Sequence, residues 1–157
     1  MGLYERLESD MKTALKGRNA TALSTVRMLL ADIRNRAIEK KVDKLDDEGI
    51  AQVIQKHVRQ HKDSIEQFKK GNRADLAEKE ELELKVLNGY LPEQLSDEDL
   101  IRMIDESIKV SGAANPSDFG KVMKAVMGST KGQADGKLVS RLVKERLSKK
   151  KEVGNED

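Results

Sequence analysis

FGKVMKAVMGSTKGQADGKLVSRLVKERLSKKK, residues 119–151, is the stretch on which the fold turns. Its apolar residues recur at helical spacing in two runs: Phe119, Val122, Met123, Val126 and Met127, then Leu138, Val139, Leu142, Val143 and Leu147. Between the runs lies a glycine-rich joint, Gly128-Ser-Thr-Lys-Gly132-Gln-Ala-Asp-Gly136. The pattern predicts two amphipathic helices meeting at a tight turn, with Gly128 or Gly132 ending the first and Asp135 capping the second. The same 33 residues hold ten Lys or Arg against Asp135 and Glu145 alone, a local balance of +8 in a chain whose total is +2. With the apolar residues facing inward, the cations are left facing outward. A basic helical pair suits an anionic partner better than a small-molecule reaction.

The rest of the chain agrees with a helical fold. Ala, Glu, Lys, Leu and Arg supply 74 of the 157 residues, close to the share of roughly half that marks long-helix proteins. Two prolines, 3% aromatic residues and no extended β-branched run argue against sheets. Apolar and charged residues each make up 37%, enough for thin seams of Leu, Ile, Val, Met and Ala between helices. Without cysteine there is no disulfide, thiolate nucleophile or Cys-ligated zinc.

Working outward, a first helix is expected over 3–17, with Leu3, Leu7, Met11, Ala14 and Leu15 on one face. Asn19 is placed to cap a longer second helix whose stripe is Leu23, Val26, Leu29, Leu30, Ile33, Ala37 and Ile38. A third helix over 46–70 carries Ile50, Val53, Ile54, Val58, His61, Ile65 and Phe68. Asn72 then caps a glutamate-rich fourth over 73–88, with Leu76, Leu82, Leu84, Val86 and Leu87 as its apolar surface. Gly89-Tyr-Leu-Pro92 punctuates the chain. This places an N-terminal helical domain at 1–90, a smaller C-terminal one at 91–148 and a polar, flexible tail at 149–157. Ser96 and Asn115-Pro116 look like further helix starts, and Gly112 like a stop.

Three constellations bear on chemistry. His57 and His61 stand four residues apart on one helix face, a metal half-site, but spacing indicates no third ligand and position 58 is valine, not the glutamate of a zincin. An ordinary helix surface is the more economical reading. Glu78, Glu80, Glu81 and Glu83 read as a solvated helix face rather than a general acid–base site, which needs a shaped, partly dry pocket. In the joint Lys131 follows Ser129 and Thr130 and a helix precedes, the reverse of phosphate-loop order. No catalytic residue, metal or cofactor is therefore expected. The candidate contacts are Lys121, Lys124, Lys131, Lys137, Arg141 and Lys144, reaching phosphates and 2′-hydroxyls of a folded RNA. Base stacking is not expected, because Phe119, the aromatic residue of this stretch, falls on its apolar stripe.

The N-terminal MGLYERLESDMK has no apolar core of a signal peptide, and Arg6 breaks the myristoylation pattern. No run of 18 apolar residues exists to span a membrane. The default expectation is a cytoplasmic protein.

Four motifs, in order, resemble the YqeY-like family: Leu23-Ser-Thr-Val-Arg-Met-Leu-Leu-Ala-Asp-Ile-Arg-Asn35, Tyr90-Leu-Pro-Glu-Gln-Leu-Ser96, Phe119-Gly-Lys-Val-Met123, and Gly132-Gln-Ala-Asp-Gly-Lys-Leu-Val-Ser140 with Val143, Lys144 and Leu147 beyond it. The resemblance covers residues 3–148. That family is similar, over its C-terminal part, to the tail of the B subunit of the glutamyl/aspartyl-tRNA amidotransferase. It implies an all-α fold: an N-terminal long-helix hairpin region and a smaller C-terminal helical domain like that tail. It also implies a tRNA-related role, in association with carbon–nitrogen ligase activity (glutamine as amido-N-donor), without a complete active site. The family usually has Arg or Lys where this chain has Gln133, so a phosphate contact at the joint is expected to be weaker here. A module whose basic segment meets an acidic protein partner is the alternative. A self-sufficient ligase is disfavoured, since no ATP site, glutaminase nucleophile or metal cluster is legible.

Overall fold

The computed structural model describes the backbone of residues 2–156 and the side chains of 2–149. It is all-α. The described residues form seven α-helices and one short 3-10 turn: α1 Leu3–Lys16, α2 Ala20–Glu39, α3 Asp47–Lys70, α4 Ala74–Asn88, α5 Asp97–Ser111, the turn Pro116–Asp118, α6 Phe119–Thr130 and α7 Gly136–Glu156. The chain divides into two compact units, 1–92 and 93–157.

In the first unit α3 packs on α4 and α1 on α2, while α2 also touches α3 and α4. Local chemistry sets the starts. Asn19 accepts a hydrogen bond from the Ala22 amide at 3.1 Å, and Asp46 accepts one from the Gly49 amide at 2.8 Å; each satisfies an amide that the helix leaves unpaired. The core is built from Leu7, Val26, Leu29, Leu30, Ile33, Ile50, Ile54 and Leu87, all almost fully buried. Each such side chain contributes about 1.5–3 kcal/mol by leaving water.

Some stripe positions differ from the sequence reading. Leu15, Ile38 and Leu82 are exposed. The seam of α4 runs through Ala77, Glu80, Glu83, Leu84 and Leu87, with Val86 also packed against the core, so Leu82 points away from it. Asn72 is not the cap of α4. It takes a left-handed conformation, φ 57°, and Arg73 occupies the capping position with its guanidinium on Asp75.

In the second unit α5, α6 and α7 pack on one another around Leu100, Ile104, Ile108, Val122, Val126, Val139, Val143 and Leu147. Ser96 caps α5 by accepting from the Asp99 amide at 3.1 Å. Gly112 ends it at φ 72°, a conformation that costs glycine nothing and other residues about 1 kcal/mol or more. The helix α6 does not stop at Gly128. It continues to Thr130, whose side chain is fully buried, and the left-handed turn falls on Lys131 and Gly132, φ 40° and 86°. The backbone of α7 is helical to Glu156. The flexible tail expected at 149–157 falls mostly on side chains outside the described residues.

Candidate functional site

The joint between α6 and α7 is held from outside. The Leu95 amide donates to the Gln133 carbonyl at 2.9 Å, and the Gln94 side-chain amide donates to the Gly132 carbonyl at 3.1 Å. The Gln133 amide closes the turn on the Thr130 carbonyl at 2.9 Å. Asp135 begins α7 as its residue type suggests: its carbonyl accepts from Val139 and its carboxylate from the Lys137 amide at 3.3 Å. Gly132 and Gln133 thus face the segment before α5 through their backbone carbonyls.

All six candidate cations, Lys121, Lys124, Lys131, Lys137, Arg141 and Lys144, are exposed. Three of them sit at successive turns of the outer side of α7, opposite Val139, Leu142, Val143 and Leu147. Three make local contacts. Lys144 lies over the Phe119 ring, 5.3 Å from its centroid, and Lys121 donates to the Ser111 carbonyl at 3.2 Å. Arg141 stands 4.0 Å from Glu145. Such exposed contacts are worth at most about 1 kcal/mol and yield readily to a polyanion. Arg146 behaves differently. Its guanidinium forks onto Asp105 of α5 at 2.8 and 2.7 Å, and this pairing raises its pKa further above the ordinary arginine value. It joins α5 to α7 and is no part of the outer face.

The structure adds a feature that charge counting misses. The outer side of α6 alternates its lysines with small residues: Gly120, Lys121, Lys124, Ala125, Gly128 and Ser129 are all exposed. A methyl group added at Gly120 or Gly128 meets nothing within 4 Å. Two glycines in an exposed helix destabilise it by about 1 kcal/mol each relative to alanine, and no packing within the unit requires them. Their spacing from the lysines was the available signal.

The histidine reading is corrected. Both rings are buried, 7% exposed each, and they serve different neighbours. His57 Nε2 lies 2.8 Å from Asp32 Oδ2 of α2. His61 Nε2 lies 2.9 Å from Glu83 Oε2 and 3.4 Å from Glu80 Oε2 of α4. Glu80 and Glu83 are therefore not a solvated face. They are partners from another helix, which spacing within α3 could not reveal.

A YqeY family model (Yqey-like protein) matches residues 4–147. The chain belongs to the YqeY-like family. Among relatives, a protein of Pyrenophora tritici-repentis named altered inheritance of mitochondria protein 41, mitochondrial, is 33% identical over 92% of this chain and 81% of its own length. The Candida glabrata protein of the same name is 35% identical over 74% of this chain and 68% of its own. The Lachancea thermotolerans one is 38% identical over 54% of this chain, and the match spans just under half of that relative, 46%. These names overturn the expectation of a cytoplasmic protein, because the relatives are named as mitochondrial. Among the described residues no helix is long and apolar enough to cross a membrane.

Proposed function

We propose that this YqeY-like protein grips a folded RNA of the tRNA class through the outer faces of α6 and α7, and catalyses no reaction alone. The observation that carries this reading is six exposed cations, five on the adjacent helices α6 and α7 and Lys131 in the turn between them, with Arg146 drawn inward by Asp105 and Asp135 and Glu145 as the local anions. Phosphates spaced along an RNA backbone match such a row, and the small residues beside the α6 lysines let a sugar–phosphate strand come close. The choice of tRNA, and of a role beside a tRNA-dependent amidotransferase, rests on the resemblance of the C-terminal part to that enzyme's tail domain. The cations act as phosphate and sugar contacts, and Asp135 and the glycines shape the joint.

Binding of the full chain to bulk tRNA between about 50 and 300 mM salt tests this. Engagement of roughly three to five phosphates gives a log–log slope of about −2 to −4.5. The Lys137→Glu/Arg141→Glu/Lys144→Glu variant is expected to lose most of that slope and most of the affinity. Equal tRNA binding by the triple variant, or none by the native chain at 50 mM, overturns the assignment. A protein captured by the native chain in nuclease-treated extract, and lost with the triple variant, would replace the RNA by an acidic protein surface.

A further inference from the structure

We infer that His61, Glu80 and Glu83 form a binding site for one divalent transition-metal ion of the zinc class, clamping α3 to α4. The three offer one ligand atom each, His61 Nε2 and a carboxylate oxygen from either glutamate, all within 4.8 Å of one another. They come from two helices of one compact unit, and none is a surface side chain: His61 is 8% exposed, Glu83 15% and Glu80 24%.

The tautomer is fixed by geometry. His61 Nδ1 lies 2.8 Å from the His57 carbonyl oxygen, which can only accept, so Nδ1 carries the hydrogen. Nε2 is then the atom facing the two carboxylates, and a bare lone pair opposite two anionic oxygens is repulsive. Either a proton is shared between Nε2 and a carboxylate, or a metal ion takes its place. A proton leaves the trio with a net charge of −1 in a largely dry place, whereas a divalent ion balances both carboxylates. The backbone carbonyl on Nδ1–H is also the usual outer support of a metal-binding histidine, orienting the ring and raising its basicity.

The donor set selects the ion. One imidazole nitrogen with two carboxylates suits zinc and neighbouring first-row divalent ions, while magnesium and calcium prefer oxygen throughout. Zinc sits about 2.0–2.2 Å from such donors. Around a tetrahedral ion that spaces donor atoms by roughly 3.3–3.6 Å. The pair at 2.9 Å must open slightly and the widest pair close, within reach of glutamate rotamers.

Zinc titration of the EDTA-stripped full chain by calorimetry at neutral pH tests the site. One ion per chain is expected, with affinity reduced by at least about tenfold in both Glu80→Gln and Glu83→Gln and retained in His57→Gln, which keeps the backbone carbonyl. Magnesium is expected to give no saturable heat. Ring nitrogen NMR of the native chain supplies a readout that needs no variant: zinc should shift His61 Nε2 and leave His57 in place. Absence of one-to-one uptake, unchanged uptake in both glutamine variants, or no movement of the His61 signal overturns the proposal and leaves a proton on Nε2.

Discussion

In the first unit two histidines and three carboxylates sit within the packed helices, whereas in the second the six candidate cations point into solvent and apolar side chains fill the interior. The charges are equally plentiful in sequence, so composition does not separate these cases. The difference is partnership. Asp32, Glu80 and Glu83 each meet a histidine from another helix, while Lys124, Lys131 and Lys137 stand exposed on outer turns. A buried ionisable group is tolerated when its hydrogen bonds are met, and among the described residues no buried side-chain nitrogen or oxygen lacks a partner. The first unit pairs these charges across its own helices, and the six cations of the second stay outside its apolar core.

The largest effects should appear where neither unit uses charge. Ile54 and Ile104 are fully buried, one in each core. Truncation to alanine is expected to cost about 2–5 kcal/mol in either case, read as a lower urea midpoint by far-UV circular dichroism. Tyrosine fluorescence isolates the first unit, since Tyr4 and Tyr90 both lie there. A loss below about 1 kcal/mol at Ile54 would mean that the polar pairs, rather than the apolar seam, hold the first unit together.

The next test exchanges the two kinds of charge. Asp32→Ala leaves the buried His57 ring without its 2.8 Å partner, at a cost of about 1–3 kcal/mol, and should leave tRNA binding unchanged. Lys137→Ala removes an exposed cation, should change stability by no more than about 0.5 kcal/mol, and should weaken tRNA binding. Chemical denaturation and a tRNA titration on both variants check the pair. If Asp32→Ala also weakens tRNA binding, the inward charges are not confined to stability.

How much of this contrast the sequence carried follows from the range of each interaction. Helix starts at Asn19 and Ser96 were legible because a cap reaches only three residues along the chain. The outward cations were legible too, because a helical stripe fixes its own opposite face. The histidine sites were not. The partners of His61 lie 19 and 22 residues away on α4, and periodicity on α3 says nothing of what stands across from it. For the same reason the glutamates read as solvated, and Leu82 as core. At the joint both Gly128 and Gly132 were candidate stops: α6 runs past Gly128 to Thr130, and the left-handed turn falls on Lys131 and Gly132.

Tyr90 extends the comparison to pH. Its ring is buried and its hydroxyl donates to Asp10 at 2.6 Å. Burial and that carboxylate push the phenol well above its ordinary value, against a smaller opposing pull from Arg6. The folded state therefore keeps a proton that the unfolded chain gives up near pH ~10. Native protein binds more protons there, so the stability this group contributes is intact below that pH and falls as pH rises beyond it. Urea midpoints between about pH 8 and 11 should show the fall, and Tyr90→Phe should flatten it. At neutral pH that variant loses one hydrogen bond, about 0.5–1.5 kcal/mol. An equally steep fall in Tyr90→Phe would place the alkaline sensitivity elsewhere.

The smallest expected change has the most to say about the outer face of α6. Gly128→Ala adds a methyl group with nothing within 4 Å of it, inside a helix that runs two residues further. Helix propensity and reduced freedom of the unfolded chain then predict a gain of about 0.5–1 kcal/mol. A raised urea midpoint with undiminished tRNA affinity would make the glycine neutral to function. A raised midpoint with weaker tRNA binding is expected instead, because a strand drawn against Lys124 and Lys131 needs the helix backbone bare at Gly128, between them. The two readouts separate cleanly, since the substitution changes no charge and stabilises the very helix whose binding it should impair.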